Sequence, residues 1–265
     1  MTTATTSPAS TPPLAPAADG RAPARRDLAD RIVERARVAA ARLEAHPFYG
    51  RLLAGQVDAE GYAAWLVQLH GYVQHTVRGE RGLADAMLAR GARGDAAAAA
   101  IARHAEVEAG EEDGHDDLLV DDLAGVWLCS REEARGRLAV AQRAPAVVAW
   151  GGLVDGMLAR YPEGVVGVAL ALETIAALHA ERIRDALLDR AEIVAIDQAV
   201  TFLSAHRGEV ERGHAEQGRR RAALLSTPEA RSAATFYADA ALALFEGIAD
   251  ALAERFAPVG AAARA

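Results

Sequence analysis

The chain contains no lysine and no asparagine, a single cysteine and few aromatic side chains. Without lysine, Schiff-base chemistry and an activated lysine nucleophile are excluded, and every basic side chain is arginine. One cysteine, Cys129, excludes a disulfide framework and a cysteine-based zinc site. Positive charge is also in deficit: 29 basic against 37 acidic residues leave a net charge of −8 over 265 residues. That balance argues against nucleic acid or an anionic membrane surface as a partner. No uninterrupted apolar run reaches the roughly 18 residues of a membrane span. The first residues lack the apolar stretch of a signal peptide, so a cytoplasmic location is expected.

What is present points to helices. Hydrophobic residues make up 51% of the chain but aromatics only 5%, because alanine supplies much of the apolar content. Alanine is the best helix former. Residues 1–26 are rich in Thr, Ser, Pro and Ala and read as a disordered tail. A helical domain is expected over 27–258, followed by a flexible end, 259–265. Apolar spacing predicts helices over 27–45, from Asp58 as N-cap through Val73, and over 96–125, 131–141, 144–159, 163–188, 191–220 and 228–255. Sustained period-2 alternation is missing. The predicted class is all-α, a bundle of seven or eight helices.

Three windows set ionisable residues near apolar stripes. In His104–His115, Glu108, Glu112 and His115 fall on one helical face, and Glu112 with His115 forms Glu-x-x-His. That i, i+3 pair is one way helical bundles hold metals; a solvated acidic face is the simpler alternative. In the second window, Glu173 is the only charged residue of Val165–Leu178. A lone carboxylate there needs a metal, an arginine or a shifted pKa. The third, His206–His214, carries Glu211 and His214, again at i, i+3, with an exposed charged helix end as its alternative. Imidazole and carboxylate without thiolate suit iron or manganese, and zinc remains open. Trp65, Trp150, Tyr62 and Tyr72 are candidates to line a cavity or simply to fill the core.

Residues 44–75 (EAHPFYGRLLAGQVDAEGYAAWLVQLHGYVQH) resemble the opening helices of the heme-oxygenase-like superfamily, and the likeness continues to about residue 255. The superfamily contains heme oxygenases, thiaminase-like hydrolases, cofactor-free quinone-cofactor synthases and non-heme diiron oxidases. A heme oxygenase would need a proximal histidine in the first helix, where residues 37–41 read Arg-Val-Ala-Ala-Ala. A thiaminase-like nucleophile finds only Cys129, at an expected helix exit. The diiron branch is the nearer resemblance. It implies metal ligands at Glu108 or Glu112 with His115, at Glu173, and in a His-x3-Asp-x2-His helix. There Glu211 and His214 match, Glu replacing Asp, but position 207 is Arg and His206 is displaced by one residue.

A one-residue π-bulge would return His206 to the ligand face, with Glu209 as substitute if the bulge lies elsewhere. The implied chemistry is a non-heme diiron oxidase/oxygenase using two ferrous ions and dioxygen. Its substrate would be a small amine, amino acid or fatty acid, undergoing N-oxygenation, desaturation or oxidative C–C cleavage in specialised metabolism. An external electron donor and a homodimer are compatible with it. The alternative is a metal-free relative, thiaminase-like or quinone-cofactor-synthase-like, or a ligand-binding helical scaffold.

Overall fold

A computed structural model describes residues 22–112, 114–206 and 209–256. Side chains 22–27, 111, 112, 209, 211 and 212 lie outside that description, as do most of the expected tail and the expected C-terminal end, 259–265. No strand occurs among the described residues. The elements are α1 (Ala22–Ala45), α2 (Pro47–Leu53), α3 (Ala59–Gly91), α4 (Ala96–Glu112), α5 (His115–Trp127), α6 (Arg131–Val140), α7 (Pro145–Arg160), α8 (Gly164–Arg190), a 3-10 turn at Ile196–Gln198, α9 (Thr201–Ala205), α10 (Glu209–Leu224) and α11 (Pro228–Arg255).

Local chemistry accounts for most boundaries. Asp58 caps α3, its carboxylate accepting from the Gly61 N–H at 2.7 Å. Ser130 and Glu133 form a reciprocal capping box on α6. Pro145 and Pro228 begin α7 and α11, where a missing N–H costs little. Pro47 does the same for the short α2. α5 ends on Leu128 in a left-handed conformation, and the Cys129 N–H bonds back to the Ala124 carbonyl at 3.0 Å. Cys129 thus sits at a helix exit, half-buried.

Two expected long helices are divided. The 96–125 segment separates into α4 and α5, so Glu112 and His115 do not share one helix and the Glu-x-x-His face is interrupted. The 191–220 segment becomes the 3-10 turn, α9 and α10, with His206 as the C-cap residue of α9. These divisions, with α2, raise the number of helices above seven or eight.

α8 is the centre. Its first eight residues are all buried, as expected of a helix apolar on every side. It packs against α1, α10 and α11, while α3 lies along α4, α5 and α7. Gly167 permits the α8–α11 crossing: a Cβ there would stand 1.9 Å from the Ala234 carbonyl oxygen. α8 is also the one described helix long and apolar enough to cross a membrane, but 67% of that stretch is buried within the bundle.

Candidate functional site

Between α3, α8 and the ends of α2, α5, α9, α10 and α11 lies a cavity of about 140 Å³. Its walls are chiefly apolar, with Leu69, Val73, Ile175, Ala176, Leu203 and Phe245 among them. Trp65 and Tyr72 line it, whereas Trp150 and Tyr62 do not. Trp150 stacks on Tyr72 at 4.8 Å and donates to the Tyr72 carbonyl, and Tyr62 donates to the Ala199 carbonyl at 2.8 Å.

The cavity wall carries His115, His206, His214 and Glu173, from four different segments, with the three histidines within electrostatic reach of one another. The His115 and His206 rings stand 4.3 Å apart, and Phe202 lies against both. His206 Nδ1 is 2.7 Å from the Phe202 carbonyl oxygen, so that nitrogen carries the proton and Nε2 holds a lone pair. Burial pushes His115 down to about 3, helped by the charge that His206 and His214 would carry. Burial likewise takes His206 down to about 4, despite its bond to Phe202 and with His214 adding to the fall. Both rings are therefore neutral at pH 7, the state in which imidazole binds a metal.

His206 reaches this position because the chain turns out of α9, not because a π-bulge interrupts a continuous helix. Asp122 of α5 fixes that turn's origin. Its carboxylate accepts from the Thr201 N–H at 2.7 Å and the Phe202 N–H at 3.0 Å, and from the Thr201 hydroxyl, capping α9. Burial raises Asp122 to about 6 against those hydrogen bonds.

Beside the imidazoles lies a second cluster. Arg221 of α10 is wholly buried, with Nη1 2.8 Å from Glu80 and Nη2 3.4 Å from Glu173. Glu108 is also within electrostatic reach. Burial would lower the Arg221 pKa, but Glu80, Glu173 and Glu108 together raise it. Burial lifts Glu80 above the ordinary carboxylate range, Arg221 opposes the rise, and Glu108 adds to it. Gly218 brings α10 close here, since a Cβ on it would stand 3.0 Å from Glu173 Oε2.

The expected ligands therefore divide. His115, His206, His214 and Glu173 share the cavity. Glu108 is buried but belongs to the Arg221 cluster and is not part of the cavity wall. The side chains of Glu112, Glu209 and Glu211 fall outside the described residues. Glu80, Arg221 and His179 carry no distinguishing signal in the sequence.

Neutral buried imidazoles beside a carboxylate have the chemistry to hold an iron-class ion. Among the described residues, however, no three such side chains are drawn tightly enough to enclose one. The imidazole end offers the donor types an iron-class ion takes, without being arranged around one. A second ion does not fit beside Glu108, where Arg221 already supplies the positive charge.

No family model matches the chain, and no curated protein sequence matches it. Solved structures do. A domain of unknown function with a heme oxygenase-like fold from Shewanella denitrificans OS217 superposes with TM-score 0.69 at 18% identity, over 86% of this chain and 92% of its own. A TenA homolog from Pseudomonas syringae pv. tomato gives TM-score 0.68 at 10% identity, over 86% and 93%. Heme oxygenase-2 from Synechocystis, solved with heme and NO, gives 0.54 at 14% identity, over 86% and 88%. At these identities the likeness is one of architecture, and the fold of this chain is heme oxygenase-like and all-α.

Proposed function

We propose that the imidazole end of the cavity holds ferrous iron and that the protein is a non-heme iron oxidase/oxygenase acting with dioxygen on a small, largely apolar molecule. The observation that carries this reading is the grouping of His115, His206 and His214 in the wall of a largely apolar cavity that Glu173 also lines. A structural core has no need of three histidines there. Glu112 and Glu211 are the proposed additional ligands. Of the two ferrous ions implied by the resemblance, one is proposed here; a second would require Glu173 and Glu108 to part from Arg221.

Iron held by these residues would supply dioxygen binding and activation, with an external donor providing electrons. The chain's own residues do the rest. His206 Nδ1–H on the Phe202 carbonyl fixes the ring and aims its Nε2. Phe202 and Leu203 keep water from the reacting end. Arg221 holds Glu173 in place through its 3.4 Å contact. Amines, alcohols or short acids undergoing N-oxygenation, desaturation or C–C cleavage are the candidate conversions.

A metal-free reading has one observation in its favour: Glu80, Glu108 and Glu173 already have a counter-cation in Arg221. The two readings separate in one assay. Protein loaded anaerobically with ferrous iron, freed of excess and exposed to air with a reductant, should consume dioxygen in proportion to bound iron. Absence of both retained iron and oxygen uptake overturns the iron reading.

A further inference from the structure

The far end of the cavity carries a different polar group. His179 of α8 is 1% exposed and forms part of the cavity wall. Its Nε2 lies 3.2 Å from Glu44 Oε1, and Glu44 is held in turn by Arg182 at 2.5 Å. An ionised carboxylate only accepts, so Nε2 carries the proton and Nδ1 presents a lone pair. That Nδ1 is buried and has no hydrogen-bond partner. Burial lowers the His179 pKa more than Glu44 raises it, which keeps the ring neutral and the lone pair available. The ring is fixed from the side by Tyr49, 5.4 Å between centroids.

Other cavity groups are already committed. The Thr76 hydroxyl donates to the Tyr72 carbonyl at 3.1 Å and the Tyr72 hydroxyl to the Ala241 carbonyl at 3.2 Å. A buried acceptor without a donor is unfavourable, and such groups mark positions filled by water or ligand. Glu173 and His179 are six residues apart on α8, a rise of about 9 Å. An apolar cavity of about 150 Å³ takes a benzene-sized molecule, so ~140 Å³ suits about six non-hydrogen atoms.

We propose that His179 is the substrate anchor of this cavity, its Nδ1 accepting a hydrogen bond from the hydroxyl or amine of a short, otherwise apolar molecule whose other end reaches the imidazole cluster. Resting on the function proposed above, it names the substrate class: a compact aliphatic alcohol or amine, bound by its donor end and oxidised at its apolar end. A carboxylate, which has no proton to offer a neutral Nδ1, is disfavoured.

The test is binding to the full chain, without iron and with it, read by tryptophan fluorescence, since Trp65 forms part of the wall. The probes are 1-pentanol, pentylamine, pentanoate and 1-fluoropentane, the last matching the alcohol in shape without donating. Pentanol or pentylamine should bind roughly tenfold more tightly than 1-fluoropentane and pentanoate; whichever leads identifies the donor. His179→Phe should abolish that preference, and His179→Gln, which restores an acceptor, should recover part of it. Equal affinity for pentanol, pentylamine and 1-fluoropentane, no binding by any probe, or a preference that survives in His179→Phe would overturn the proposal. The comparison of probes on the unaltered chain stands even if a variant fails to fold. Iron retention fails or succeeds separately, because the anchor is read on iron-free protein.

Discussion

Arg221 shows how a single residue governs the site from beneath. Its guanidinium is fully buried and touches Glu80 and Glu173, with Glu108 nearby. Removing it leaves three carboxylates in low dielectric without their cation. Arg221→Leu should therefore destabilise the fold by about 3–5 kcal/mol, the range for breaking a buried pair from one side. Urea unfolding measures it, and a change below about 1 kcal/mol would mean the cluster is wetter than described. That Arg221 and Glu80 take part was not visible in sequence. Arg219-Arg220-Arg221 looks like a solvated basic turn, and Glu80, between Arg78-Gly79 and Arg81-Gly82, looks like an exposed charged face. Their pairing joins positions 141 apart in the chain, which helical spacing cannot reveal. Glu173 was legible because its neighbours are all apolar, and its need for a partner is met by an arginine. His179 was hidden for the opposite reason: a histidine followed by Ala-Glu-Arg reads as the start of a polar helix end.

The elements that carry the site are the short ones. α9 is five residues long and too short to persist on propensity alone. Asp122 supplies what it lacks, accepting from both of its first N–H groups. Asp122→Ala should cost about 1–2 kcal/mol as a lost cap, and it should loosen His206 along with α9. Amide exchange over 201–206 should accelerate in this variant while exchange in α3 and α8 stays slow. Unchanged protection of α9 would show that packing of Phe202 and Leu203 suffices. Here the limits of sequence reading are physical. α3 runs on to Gly91, well past the expected Val73, but its start and the boundaries of α6, α7, α8 and α11 follow from caps, prolines and apolar spacing within a few residues. The breaks after Glu112 and Ala205 do not, because helical periodicity continues through them and Asp122, which starts α9, lies 79 residues away from Thr201. The one-residue offset of His206 looked like an insertion to be absorbed in a bulge. It is instead the end of a separate helix.

Taken whole, a heme oxygenase-like bundle rich in alanine leaves a largely apolar cavity whose wall carries four imidazoles. Those imidazoles make stability depend on pH. His115 and His206 fall to about 3 and about 4 on folding, whereas in the unfolded chain they bind protons near 6.5. Between pH 6.5 and about 4 the unfolded state therefore holds more protons, and iron-free protein should lose stability as pH falls. Asp122, raised to about 6, and Glu80, also raised, act in the opposite sense, while His179, lowered like the other two histidines, adds to the decline. Thermal unfolding from pH 7 to 4.5 should show the decline, and His115→Phe with His206→Phe should flatten it. An equally steep decline in the double variant would assign it to other groups.

The central claim, that these histidines hold iron, is tested most directly by anaerobic equilibrium dialysis against ferrous iron, with bound metal counted per chain. About one tightly held iron per chain is expected in the unaltered protein. His115→Ala, His206→Ala and His214→Ala should each lower affinity by at least ~10-fold, and His179→Phe should retain wild-type iron content. Iron that fails to bind the unaltered chain, or binding unaffected by loss of all three histidines, would contradict that claim.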